Sequence, residues 1–264
     1  MTKKDVGLMN VFQQFAKSTY SPKHISMFRF QGIGKTILFV FLLSILAALP
    51  AAINLATGIQ QGLAGLDTAV EEELPDFTIA NGTLTSEDNQ SVEFKKDDFF
   101  IVFDPTGSFT EEELQAKRNS VGLLQEEFVL VINGQAQTYS YSLVNGPLSK
   151  GDILEYMDGF KSLFPIFISV FIFFIYLFTA AAKFIEITLL AAIGLLIKNI
   201  MQKNLNFKQL WVMSAYSVTL ATVFFAVMDL LHANVPSALM INWFIHFMIL
   251  YMAVKEVPGR KKLA

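Results

Sequence analysis

The amino-acid sequence predicts an α-helical integral membrane protein with about four transmembrane helices, the second unusually long. A small α+β extracytoplasmic domain is expected between helices 1 and 2. Three observations predict this. Four apolar stretches, Ile33–Leu55, Phe164–Ile197, Leu210–Leu231 and Ala238–Val254, reach or approach the roughly 20 residues a helix needs to cross a hydrocarbon core of about 30 Å. The segment between the first two is polar and rich in turn signals. Charge is also divided: residues 67–158 carry 19 acidic and 5 basic side chains, a net −14, while the remainder carries 15 basic and 4 acidic, a net +11. Two populations this different suggest the two sides of a membrane.

Composition agrees. With 53% hydrophobic and 16% charged residues, and 26 Phe in 264 residues, the chain is more apolar than an ordinary soluble domain. It has no cysteine, which excludes disulfides, thiol catalysis and cysteine–metal sites. The first apolar run starts at residue 33, is long, and lacks a small-residue cleavage site, so it reads as a retained signal anchor.

Basic residues in short flanking segments mark the cytoplasmic side. They are Lys3, Lys4, Lys17, Lys23, Arg29 and Lys35 before the first run, Lys198, Lys203 and Lys208 after the second, and Lys255, Arg260, Lys261 and Lys262 at the end. Four crossings put all three groups inside and the acidic insert outside. The expected organisation is a cytoplasmic segment over 1–32, helix 1 over 33–57, the extracytoplasmic domain over 58–160, helices 2–4 over 161–254, and a basic cytoplasmic tail over 255–264. Phe164–Ile197, 34 residues, is about 51 Å as a helix. It reads as one long helix, because Thr179–Phe184 has no Gly, Pro or Asn to turn on; two tight spans are the alternative. Pro50 is expected to kink helix 1. In the N-terminal segment, Leu8, Val11, Phe12 and Phe15 share a helical face with Gln13, Gln14 and Lys17 elsewhere. Such a helix either lies in the interface or packs on the ends of the spans.

The insert reads as four to six short strands with helices. Phe77–Ala80, Asn81-Gly82 and Thr83–Thr85 form a hairpin pattern. Phe99–Phe103 ends in the turn Asp104-Pro105-Thr106-Gly107, so Asp104 and Gly107 shape that corner. Thr110 with Glu113 is a capping box for a helix through Arg118. Phe128–Ile132, Asn133-Gly134 and Gln137–Leu143 form a second hairpin, and Ser149 caps a helix leading into the second span. The acidic runs Glu71–Glu73 and Glu111–Glu113 read as solvated faces, and Asp97-Asp98 lacks the ligand spacing of a calcium loop.

Few residues carry chemistry. Gly32-Ile33-Gly34-Lys35-Thr36 ends like a phosphate loop, but Arg29 stands where its first Gly belongs. No serine- or zinc-protease motif is present, and Asp229 is the one Asp deep in the last two spans. The intramembrane polar candidates are Lys183 with Glu186, three apart and able to neutralise each other; Asp229 with His232, a proton-accepting pair or an ordinary helix end; and Asn242 with His246, four apart and suited to bonding a neighbouring helix. No catalytic residue, metal site or cofactor is expected, and the protein is read as a non-enzyme. Expected partners are membrane lipids and other membrane proteins or a second copy, with no nucleic acid.

The segments Ser18–Lys35 (STYSPKHISMFRFQGIGK), Phe77–Leu84 (FTIANGTL) and Ile101–Gly107 (IVFDPTG) together resemble the bacterial DUF1189 family of uncharacterised membrane proteins. The likeness runs over nearly the whole chain through short, structural motifs. Some members of that family carry a "maltodextrin utilization protein" label. The spans, especially Leu195–Tyr216, also resemble the Yip1-type fold, although the chain ends after the fourth span where that pattern has a fifth helix. Neither resemblance implies a catalytic residue. The DUF1189 resemblance implies a bacterial membrane protein, and the charge distribution puts both termini in the cytoplasm. The absence of a catalytic constellation together with a folded outer domain reads as an adaptor, scaffold or regulator of the plasma membrane. An accessory permease or small transporter component, linked to carbohydrate uptake, is the alternative.

Overall fold

The computed structural model describes residues 9–96 and 99–259. Lys3, Lys4, Leu8, Asp97, Asp98, Arg260, Lys261 and Lys262, used in the sequence reading, lie outside the described residues. The chain divides into two units: one takes the chain up to Ala56 and from Ile168 onward, the other is Thr57–Phe167. Among the described residues four helices are long and apolar enough to cross a membrane, and the named β-strands lie in the second unit.

In the first unit, α1 (Val11–Tyr20) starts at Asn10. The Asn10 side chain accepts from the Gln13 amide at 2.8 Å, and Gln13 Oε1 accepts from the Asn10 amide at 3.3 Å, a reciprocal cap that satisfies two orphan donors. Ser21 ends α1 and begins α2 (Pro22–Phe28), with proline at its first position where no N–H is needed. Two further helices run through both units: α3 (Ile33–Thr68), which passes into a π turn at Ala69–Glu73, and α5 (Lys150–Ile200). The remaining helices are α6 (Phe207–Ser217), α7 (Thr219–Leu230) and α8 (Ala238–Lys255).

The third apolar stretch forms the helix Phe207–Leu230, made of α6 and α7 with a distortion at Val218. There Ser217 Oγ donates to Met213 O, Thr219 Oγ1 to Tyr216 O and Thr222 Oγ1 to Val218 O, while the Val218 and Thr222 amides still donate to Ser214 O and Val218 O. Hydroxyls bonding back to the preceding turn compete with the ladder and bend helices. The first helix also continues well past Leu55 to Thr68, through Gly58, Gly62 and Gly65. Each glycine disfavours helix by about 1 kcal/mol, yet Ile59, Leu63, Leu66 and Val70 recur at helical spacing along the extension, and Val70 packs against the cluster of Leu74, Phe77 and Ile79. Residues 164–197 lie within a single unbroken 51-residue helix.

The core of this unit joins Ile25 and Phe28 of α2 to Phe39 and Leu43 of α3, Ile187 and Leu190 of α5, Met213 and Tyr216 of α6, and Leu250 of α8. Gly194 lets α5 approach closely, since a Cβ there would meet Leu210 at 3.2 Å and Leu250 at 3.3 Å.

The second unit holds eight described strands rather than four to six. They are β1 (Phe77–Ala80), β2 (Thr83–Ser86), β3 (Val92–Lys96), β4 (Phe99–Phe103), β5 (Ser120–Leu123), β6 (Glu127–Ile132), β7 (Gln135–Ser140) and β8 (Leu148–Ser149). They form two sheets, ordered β2-β1-β8 and β3-β4-β5-β6-β7. Pairing is antiparallel except between β4 and β5, whose crossover carries α4 (Glu111–Ala116). That helix starts at the expected box of Thr110 and Glu113 and stops short of Arg118, which takes φ 66°. Sequence reading missed β3, half-exposed and ending in two lysines, and β5, too short to announce itself. The core of the larger sheet includes Val102, Leu114, Val129 and Val131.

Candidate functional site

Lys183 and Glu186 stand one helical turn apart on α5, and Asn242 and His246 one turn apart on α8. The structure brings both pairs together around a single carboxylate. Glu186 Oε2 accepts from Lys183 Nζ at 2.8 Å, and Oε1 accepts from Asn242 Nδ2 at 2.8 Å. His246 Nδ1 lies 3.1 Å from the same Oε1. That separation suits an ion pair, but the ring is not aimed for a hydrogen bond, and neither of its nitrogens has a hydrogen-bond partner. The Lys183 and Glu186 side chains are 13% and 14% exposed, and that of His246 is fully buried.

The chemistry of this arrangement is compensation. An isolated charge among apolar helices is costly, by about 2.5–3.5 kcal/mol even on the milder insertion scales. One ammonium beside one carboxylate leaves no net charge when the imidazole is neutral. The Asn242 amide then ties α5 to α8 across 56 residues of sequence.

Asp229 and His232 do not join this cluster. Both are exposed at the end of α7 and line a cavity of about 390 Å³, with Pro50 and Asn54 among its other walls. Their own link is through the backbone, the His232 amide donating to Asp229 O at 3.1 Å while the Ala233 amide donates to Met228 O at 2.9 Å. With His232 at φ 52°, this is a Schellman cap in which histidine occupies the position usually given to glycine. The helix-end reading therefore accounts for the pair.

In the second unit Asp104 is fully buried at the corner after β4. Its Oδ1 accepts from Ser91 Oγ (2.6 Å), Thr106 N (3.0 Å), Thr106 Oγ1 (2.7 Å) and Ser108 Oγ (3.1 Å), and its Oδ2 accepts from Phe109 N (2.7 Å). Burial alone would raise the carboxyl, but the Ser91 and Thr106 hydroxyls and the Phe109 and Thr106 amides outweigh it and hold its pKa down at about 2. Gly107 follows at φ 74°, and a Cβ there would meet Gln125 Oε1 at 2.7 Å.

Sequence reading missed Gln14. It was placed off the apolar face of α1, yet it is fully buried while Phe12 is 80% exposed. Gln14 Nε2 donates to Met9 O at 3.0 Å, and its Oε1 accepts from Tyr216 OH at 2.6 Å. α1 packs on α6 and α7. The basic residues read as side markers also bond carbonyls: Lys35 that of Met9, Lys198 that of Leu205 at 2.6 Å, and Lys203 those of Lys255 (3.0 Å) and Val257. Among the described residues, no three His, Asp, Glu or Cys side chains gather closely enough to hold a metal ion.

No curated protein and no solved structure matches the chain. The model of one family, described as "Protein of unknown function (DUF1189)", matches residues 12–254. That match takes in both units and all four long apolar helices, and the chain belongs to this family.

Proposed function

We propose that this is a multi-pass protein of the bacterial plasma membrane that acts without catalysis, as an adaptor, scaffold or regulator of other membrane proteins. Both termini face the cytoplasm and residues 58–160 face outward, following the charge division of −14 against +11. The membrane part follows the Yip1-type pattern. The observation that carries the reading is the saturation of Glu186. Both of its oxygens are engaged by Lys183 and Asn242, so this carboxylate fastens two of the apolar helices together. Strand edges of the outer domain and its acidic surface supply the contacts for partners.

The test is crosslinking in cells followed by mild-detergent purification of the tagged protein and mass spectrometry. A stoichiometric membrane enzyme or transporter subunit among the co-purifying proteins is the expected result. Self-crosslinks alone would discard the adaptor role.

A second reading, an accessory permease or small transporter component linked to maltodextrin uptake, draws support from the 390 Å³ cavity that Asp229 and His232 line. The double change Lys183→Met with Glu186→Gln separates the two. Loss of uptake at normal protein level favours transport, whereas loss of abundance alone favours a structural pair.

A further inference from the structure

One cavity of the second unit has almost wholly apolar walls. It encloses about 570 Å³, within the range of about 300–1,000 Å³ of small-ligand sites. Its walls include Leu63 and Leu66 of α3, Leu130 of β6, and Ile153 and Met157 of α5, and no charged side chain is among the described residues that line it. At its rim Leu143 is 78% exposed. A large exposed apolar surface of this kind marks a binding site.

We propose that this cavity receives an acyl chain of a neutral or zwitterionic membrane lipid. The proposal rests on the reading of the long apolar helices as membrane spans. Tyr139, Ser140 and Tyr141 bring the few polar atoms. Walls without charge offer no counter-charge to a nucleotide or an ion, and their predominantly aliphatic and aromatic surface matches a hydrocarbon chain. Two of the walls are continuations of the apolar helices themselves. Leu63 lies eight residues beyond Leu55 and Met157 seven before Phe164, about 12 Å and about 10 Å along their helices. Along α5, Phe160, Leu163 and Phe167 are each about half exposed, and the rings of Phe160 and Phe167 stack at 6.2 Å. They form an apolar track toward the second apolar run. The headgroup preference follows from the net −14 of residues 67–158, which disfavours an anionic headgroup at the rim.

The experiment uses the full chain in nanodiscs containing phosphatidylethanolamine with a photoreactive diazirine on its acyl chain, followed by peptide mapping of the label. Label is expected on cavity peptides within residues 63–157 and also on the apolar runs. Leu66→Trp and Leu130→Trp fill the cavity and lower the cavity label about tenfold, leaving the label on residues 166–178 unchanged. Label on the apolar runs alone overturns the cavity proposal and leaves the membrane reading standing. Absence of label from both overturns the membrane reading. Equal labelling by a phosphatidylglycerol probe overturns the headgroup preference. The map of the unaltered protein decides the main question whether or not either variant folds.

Discussion

Glu186 and Asp104 are two carboxylates withdrawn from solvent, and the ways in which they are satisfied differ. Asp104 is held by its own loop: every donor lies within 13 residues, and two of the five bonds come from backbone amides. Glu186 is held by an ammonium one turn away and by an amide 56 residues away on another helix. In the first case the carboxylate organises a corner, and in the second it fastens two helices. Local saturation gives a rigid turn that folds with its strand, while remote saturation makes helix pairing depend on one charge balance.

The largest effect expected from this contrast is at Glu186. Glu186→Gln leaves Lys183 without a counter-charge among apolar helices, and removing one partner of such a pair destabilises by about 3–5 kcal/mol. Thermal unfolding in detergent should show a large loss, milder when Lys183→Met is added. Equal losses in the single and double variants would sink the charge-balance account.

Asp104→Asn comes next, at about 2–3 kcal/mol, because it weakens charge-assisted bonds and disturbs a buried corner. The pH dependence has a definite sign. Since the folded carboxyl is held down at about 2, its stabilisation is complete above about pH 4 and is lost as pH falls through about 2. Acid unfolding of the second unit should therefore show a component that Asp104→Asn abolishes. Gly107→Ala should lose about 1 kcal/mol, since φ 74° disfavours a side chain and Gln125 has to move.

The smallest effect has the opposite direction. Tyr141 is 5% exposed with an unpaired hydroxyl, and burial together with the Glu127 charge pushes its ionisation upward. Tyr141→Phe removes that unpaired group and should leave stability unchanged or raise it by up to about 1 kcal/mol. A clear drop in melting temperature would reveal a partner for the hydroxyl.

How much of this was legible depended on the range of the interactions. The hairpins at Asn81-Gly82 and Asn133-Gly134, the box at Thr110 and Glu113, and the corner at Asp104 are local, and their residues sit where backbone sterics demand them. Lys183 and Glu186 were recognisable as a pair because one turn separates them. Their meeting with Asn242 and His246 was not, since nothing in either helix specifies which neighbour it faces. Gln14 was misplaced because a helix with a polar buried residue reads as amphipathic the wrong way round when its partner, Tyr216, lies 202 residues on. The extension of α3 is hidden by the low helix propensity of Gly58, Gly62 and Gly65.

The most direct test of the Glu186 staple is a double-mutant cycle between Glu186→Gln and Asn242→Ala, read by thermal unfolding of the purified protein. Groups bonded across two helices should couple by about 0.5–2 kcal/mol. A coupling indistinguishable from zero, with both single variants as stable as the parent, would contradict a carboxylate that fastens α5 to α8.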